Sequence, residues 1–454
     1  MGGNQRDSGT LLNSWKAIAS YLGCDERTAR RWERDRGLPV HRPPGPRGHV
    51  YAYTDELDQW LRSAKPSPAA PVQAGRKAVI LAAASLLSLA AAGVAWHFWL
   101  RPFRPARAEI VGRSLQVRDE QGRLLWAHVF PDGFRSPEEL QRQGSPLRAD
   151  RAIRIADLDG DGSPEVILRV GYAPDETGLG PEQEEICCFS NRGKLVWRYR
   201  PEVTIRMGDT AFDGPWRFTD MILEAAGRRH AIWAAAVHSH WRPAFVVRLD
   251  ASGRAALRFI NAGWIYALHA VRHRGGSRIL AAGVNNEYAA ASLAVLRADA
   301  EPACSPQTPG SRFACAGEFH GSPERYFLFP PSELSRLVVP YNGVQGLEPV
   351  GGGVLLTTSE TEDGVWAFYR FSEELEPVNV AFNYRFGILH RRFEQRKLLG
   401  HPVEGCPQLE QPVKLRRWDP RSGWTTITVP PAPGVRPDVW PADSPAPEAL
   451  QRAP

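Results

Sequence analysis

Residues 185–200 read EICCFSNRGKLVWRYR. Apolar and aromatic residues flank a polar SNRGK turn, the pattern of a strand, a Gly turn and a second strand. Two further stretches share the plan: SLQVRDEQGRLLWAHVF at 114–130 and AFVVRLDASGRAALRFI at 244–260. In the first two copies in the chain the turn leads into Leu and then Trp, and the third departs from that. Adjacent Cys187 and Cys188 take opposite faces of a strand, so at least one is expected in a core. Apolar runs precede several copies: EVILRVGY from 165, HAIWAAAVHS from 230, SRILAAGVNN from 277 and VGGGVLLTTSE from 350.

Composition agrees with β structure. Fifteen Trp against three Met, with 39 Pro and 41 Gly, favour strands and turns over long helices. With 43% hydrophobic and 23% charged residues, the chain is neither disordered nor collagen-like, and it is too polar for a polytopic membrane protein. Irregular repeats of roughly 45 to 65 residues, each of short strands, point to propeller blades, five to seven in number; a β-sandwich or two stacked β domains is the alternative.

The sharpest motif in this region is RIADLDGDGSPEVIL at 154–168. Carboxylates at alternating positions, Gly at the sharp turns and a later Glu suit a hard cation that takes many oxygens. The stretch resembles the FG-GAP/VCBS repeat of β-propeller proteins. The resemblance implies one calcium ion, with Asp157, Asp159, Asp161 and Glu165 as side-chain ligands and a backbone oxygen at Ser163. A tight Asp/Gly turn without an ion is the alternative. Cys304 and Cys315 bracket a turn-rich loop, SPQTPGSRFA, which a disulfide would close in an oxidising compartment; two unrelated thiols are the alternative.

A second kind of segment lies upstream. Residues 78–100, AVILAAASLLSLAAAGVAWHFWL, contain no Asp, Glu, Lys or Arg. As a helix they would rise about 35 Å, enough for a bilayer core of about 30 Å, with Trp96 and Trp99 at an interface. One transmembrane helix is therefore expected there. Arg76 and Lys77 on one side and Arg101, Arg104 and Arg107 on the other leave orientation open.

Residues 11–63 read as a small domain. Ser14 caps a helix with Trp15, Ile18, Ala19 and Leu22 at helical spacing, and Gly23 ends it. Asp25 caps a second helix, DERTARRWERDRG, closed by Gly37. Arg27, Arg30, Arg31 and Arg34 fall mostly away from the face of Ala29 and Trp32. A strand, a Pro/Gly turn, a strand with Tyr51 and Tyr53, and a helix capped by Thr54 follow. This order resembles the winged helix-turn-helix of MerR-like and excisionase-type DNA-binding domains. The resemblance implies that Arg27, Thr28, Arg30 and Arg31 meet DNA from the recognition helix, and Arg42, Arg47 and His49 from the wing; Arg34 of the same helix is expected to join them. Residues 1–76 carry 12 Lys and Arg against 8 Asp and Glu, in a chain of net charge +6.

Motifs for catalysis are absent: no Gly-x-Ser-x-Gly, phosphate loop or His-Glu-x-x-His occurs. His238 and His240 share a strand face without a third ligand nearby. No enzymatic activity is expected.

The expected fold class is multidomain: a small α/β winged helix-turn-helix, one transmembrane helix and a large all-β domain. The segments are a flexible 1–10, the DNA-binding 11–63, a Pro-rich linker 64–77, the membrane span 78–100, an extracytoplasmic β-propeller-like 101–430 and a disordered Pro-rich tail 431–454. Joined, they read as a single-pass regulator of transcription in the inner membrane. Its N-terminus would lie in the cytoplasm and bind double-stranded DNA as a homodimer. Its β domain would meet an external ligand or protein in the periplasm or outside the cell. The alternative is a membrane-anchored propeller for adhesion or protein interaction, whose N-terminal domain binds protein.

Overall fold

The computed structural model describes residues 9–44, 49–63, 85, 88, 103–142, 149–173, 183–238, 243–317, 319 and 321–434. The chain divides into two units, 1–101 and 102–454. Of the described residues, 46% are strand and 17% helix.

The smaller unit holds α1 (Trp15–Tyr21), α2 (Glu26–Arg36) and α3 (Thr54–Ser63). The Ser14 hydroxyl accepts from Ala17 N at 3.2 Å, and Asp25 Oδ1 from Thr28 N at 2.8 Å, so both helix starts are capped by side chains. Gly37 closes α2 in the left-handed region, φ 63°. Ile18, Ala19, Ala29, Leu38, Ala52 and Leu57 form its core.

The larger unit is a series of largely antiparallel sheets packed face to face in chain order. The first sheet has strands Arg107–Val111, Ser114–Arg118 and Leu124–Val129, and a short helix, α4 (Pro137–Arg142), follows it in the chain. The second is built on Glu165–Tyr172 and Gln183–Phe189, and the third on Trp216–Ala226, Arg229–His238, Ala244–Leu249 and Ala255–Asn261. The fourth has six strands, the first three being Ile265–His273, Gly276–Asn285 and Ala290–Arg297. The fifth runs from Gly343–Val350 to Pro377–Phe382.

Period-two alternation drives this stacking, because each inner strand is buried on both faces. Val166, Leu168, Cys187 and Phe189 pack towards the first sheet, while Ile167, Ile186 and Cys188 pack towards the third. Ile232 and Ala234 join the latter cluster, and Trp233 and Ala235 turn to the fourth sheet. Leu280 and Ala282 then pack with Leu347, Val354 and Leu356 of the fifth. Both adjacent cysteines are buried, one in each of two cores.

The hairpins also fasten neighbouring sheets. Trp126, after the first turn, donates its indole N–H to Asn191 O in the second turn at 2.9 Å; Trp197, after the second, donates to Ala251 O in the third at 2.9 Å. Gly193 (φ 79°) and Gly253 (φ 80°) lie under those indoles. A Cβ at Gly193 would stand 2.7 Å from Trp126 Cδ2, and one at Gly253 2.6 Å from Trp197 Cδ2. Glycine is therefore required twice over at both turns, by backbone and by contact. A buried carboxylate joins the third and fourth sheets to the 3-10 turn Ala149–Arg151: Asp220 accepts from Leu268 N at 2.7 Å and from Arg151 Nη1 at 2.9 Å.

These findings correct the expected fold class. Among the described residues no hydrophobic cluster joins the fifth sheet back to the first, so the sheets form an open series and no closed propeller. The fourth sheet also exceeds a four-stranded blade. It recruits Val413–Asp419, which pairs with Arg325–Phe329, and Gly423–Val429 beyond it. Apart from Ser85 and Ser88, both helical, residues 78–100 lie outside the described residues, and no described helix is long and apolar enough to cross a membrane. The expected single-pass inner-membrane location is withdrawn with it. Residues 1–8, the linker 64–77 and most of the tail, 435–454, also lie outside.

Candidate metal centre

The acidic loop connects strand Ile153–Ala156 to strand Glu165–Tyr172 of the second sheet. Leu158, 2% exposed, anchors it in the core. Gly160 (φ 84°) and Gly162 (φ 86°) supply the left-handed turns that fold the chain back on itself. The carboxylates organise the backbone. Asp157 Oδ1 accepts from Gly160 N at 2.7 Å and Oδ2 from Gly162 N at 2.8 Å. Asp159 Oδ1 accepts from Asp161 N at 3.0 Å, and Glu165 Oε2 from Leu158 N at 2.9 Å.

This winding brings oxygens of Asp157, Asp159 and Glu165 within 4.8 Å of one another. Asp161 stands outside that group, its Oδ1 accepting from Ser163 N at 2.6 Å. Burial raises the Glu165 carboxyl above its ordinary range; the Leu158 N–H opposes this, and the negative charges of Asp159 and Asp161 add to it. A bound cation would relieve that repulsion. The loop also meets the third sheet: His230 N donates to Asp157 O at 3.1 Å, and the ring Nδ1 lies 2.9 Å from the same oxygen.

The other residues singled out from sequence are dispersed. Cys304 and Cys315 form a disulfide. His238 stacks edge-on against Phe212 and Trp216, and His240 lies outside the described residues. In the smaller unit, Arg27, Arg31 and His49 are exposed, and Arg47 lies outside the described residues. Thr28 Oγ1 donates to Asp25 Oδ2 at 2.8 Å, and Arg30 lies 4.0 Å from Glu26 and over the Trp15 ring. Arg34 pairs with Asp35 at 2.9 Å, and Arg42 grips Glu33 through two bonds of 2.5 and 3.1 Å.

Motif reading missed one cluster. Ligand atoms of Glu333, His390, His401 and Cys406 lie within 4.8 Å of one another, with His390 and Cys406 buried. The described residues thus hold two metal-capable groups, where the sequence motif pointed to one.

No protein-family model and no curated protein matches this chain. Among solved structures, it is similar to a chimera of an apocarotenoid oxygenase and RPE65. Identity is 9%, over 50% of this chain and 60% of that chain, with a TM-score of 0.22. It is also similar to two mutants of the Synechocystis apocarotenoid oxygenase, at 9% and 10% identity. These cover 61% and 60% of this chain and 71% and 70% of theirs, with a TM-score of 0.24 in each case. The chain spans less than two thirds of the chimera's length. Overlaps this loose carry no activity across to this chain.

The functional expectations are nevertheless corrected. A membrane-tethered, DNA-binding regulator, or a membrane-anchored adhesion module, does not stand: no described helix is long and apolar enough to cross a membrane. Thr28, Arg30, Arg34 and Arg42 each have an acidic neighbour, and the three arginines remain exposed. Duplex DNA, a DNA-bound homodimer, the membrane and an external ligand are withdrawn as partners. The expectation of no enzymatic activity is withdrawn as well, given a partly buried group of metal-ligating side chains.

Proposed function

We propose that the chain is a calcium-binding β protein in which the loop at 157–165 closes on the ion and braces the second sheet against the third. The convergence of Asp157, Asp159 and Glu165 carries this reading. Three carboxylates supply hard, anionic oxygens, and the six to eight ligands that calcium takes at about 2.3–2.6 Å would be completed by Asp161, the Ser163 carbonyl and water. The brace follows from His230, which holds the Asp157 carbonyl: an ion that stiffens the loop stiffens the contact between sheets.

The test is a calcium titration of the chelator-treated full chain, followed by calorimetry and thermal unfolding, with magnesium as control. Saturable binding near or below about 10⁻⁴–10⁻³ M, with a raised Tm, is expected. Both should vanish in Asp159→Asn and Glu165→Gln. Wild-type protein with an unchanged Tm and no heat at millimolar calcium would overturn the reading.

A further inference from the structure

We propose that Glu333, His390, His401 and Cys406 form a second metal centre of a different class, one that holds zinc or a like transition-metal ion.

Four separate pieces of backbone bring these groups together. Glu333 is the first residue of a short helix, α5 (Glu333–Val338), capped by Ser332, whose hydroxyl accepts from Ser335 N at 3.1 Å. His390 lies within α6 (Tyr384–Gln395). His401 sits in the stretch 396–406, which contains no helix or strand. Cys406 precedes α7 (Pro407–Glu410), and its thiol makes no cap bond to that helix. Gln408 of α7 reaches back to accept from Glu333 N at 2.7 Å, fixing the start of α5 against it.

The donor atoms face one another. Cys406 Sγ lies 2.9 Å from Glu333 Oε1, His390 Nε2 3.3 Å from the same oxygen, and His401 Nε2 3.0 Å from Glu333 Oε2. Zinc bonds of about 2.0–2.3 Å set tetrahedral edges of about 3.3–3.8 Å, so movements of a few tenths of an ångström to about one would seat an ion. A thiolate, two imidazoles and a carboxylate suit zinc, whereas calcium takes oxygens. The thiolate and carboxylate together balance a divalent charge, with the thiol proton released to solvent on binding.

The second observation is an orphaned nitrogen. His390 is fully buried. Its Nδ1 is held by Glu394 Oε1, one turn on, at 2.5 Å. That bond fixes the ring and aims Nε2 into the cluster. Nε2 is buried there with no hydrogen-bond partner among the described residues, its approach to Glu333 lacking hydrogen-bond geometry. An unpaired buried nitrogen is costly, and a carboxylate-oriented histidine is how proteins present an imidazole to a metal. Four protein ligands leave no open position, so the centre is structural and ties the irregular stretch 396–406 to α5 and α6.

The test uses the full chain, stripped by chelation and loaded with cobalt(II), then zinc. A tetrahedral cobalt spectrum with a thiolate charge-transfer band is expected, abolished by stoichiometric zinc. Cys406→Ser should lose the charge-transfer band, and Glu394→Gln should weaken zinc binding by about 10- to 100-fold. Asp159→Asn should leave the cobalt spectrum unchanged, which separates this centre from the calcium loop. Should Cys406→Ser not fold, His401→Gln, at a half-exposed loop position, reports on the same centre through its zinc affinity. Folded wild type with no tetrahedral cobalt band, or a thiolate band that survives Cys406→Ser, would overturn the proposal.

Discussion

The loop at 157–165 and the cluster around His390 use opposite means to gather ligands. In the loop, nine consecutive residues carry the carboxylates, and local backbone bonds from Gly160, Gly162 and Leu158 pre-form it near the surface. In the cluster, Glu333 and Cys406 are 73 residues apart and meet only because three helices pack together. The first can be read from spacing. The second leaves no motif, because its order exists only in the fold. Their chemistry differs in parallel: carboxylate oxygens for a hard ion, nitrogen and sulfur for a softer one.

The two proposals predict unequal effects. Removing zinc should cost the most: at free zinc about 1,000 times the dissociation constant, linkage gives about 4 kcal/mol. Unfolding of the stripped and reloaded chain in denaturant checks this, and equal stability would break the contrast. Next comes a metal-free control. Asp220→Ala leaves Arg151 without its carboxylate, with only the Leu268 carbonyl to accept from it, and leaves Leu268 N without an acceptor. Arg151 is 17% exposed, so the loss should fall at roughly 3 kcal/mol, the lower end for a buried pair, and neither metal should change it. Asp157→Asn should cost about 1–2 kcal/mol even in chelator, because the amide cannot accept from both Gly160 and Gly162. It should also remove the calcium dependence of Tm while leaving zinc content intact.

The smallest effect involves neither centre. Burial, then the charge of Arg151, lowers the His269 pKa below its usual 6.5, with Asp220 opposing. The unfolded chain therefore binds the proton more readily, and stability falls as pH drops below about 6.5. His269→Gln should flatten that slope in acid titrations of the metal-free chain; an unchanged slope would remove His269 as its source.

The local layer of this molecule was legible in its sequence. The three strand–turn–strand stretches are hairpins, and Cys187 and Cys188 do take opposite faces, because alternation and Gly turns act over a few residues. That the series stays open was not legible, since closure depends on contact between the first and last sheets, which no local pattern encodes. The pairing of Tyr326 with Trp418 shows the same limit. Of the candidate sites, only the one whose ligands are sequence neighbours could be found, and His390 needed the helix register to place Glu394 beneath it.

The measurement that bears most directly on the account is metal content of the full chain after dialysis with calcium and zinc together. Wild type, Asp159→Asn and His401→Gln should be compared side by side. About one ion of each should bind wild type, with calcium alone lost in Asp159→Asn and zinc alone lost in His401→Gln. A single substitution that removes both ions, or a wild-type chain that retains neither, would contradict two independent centres.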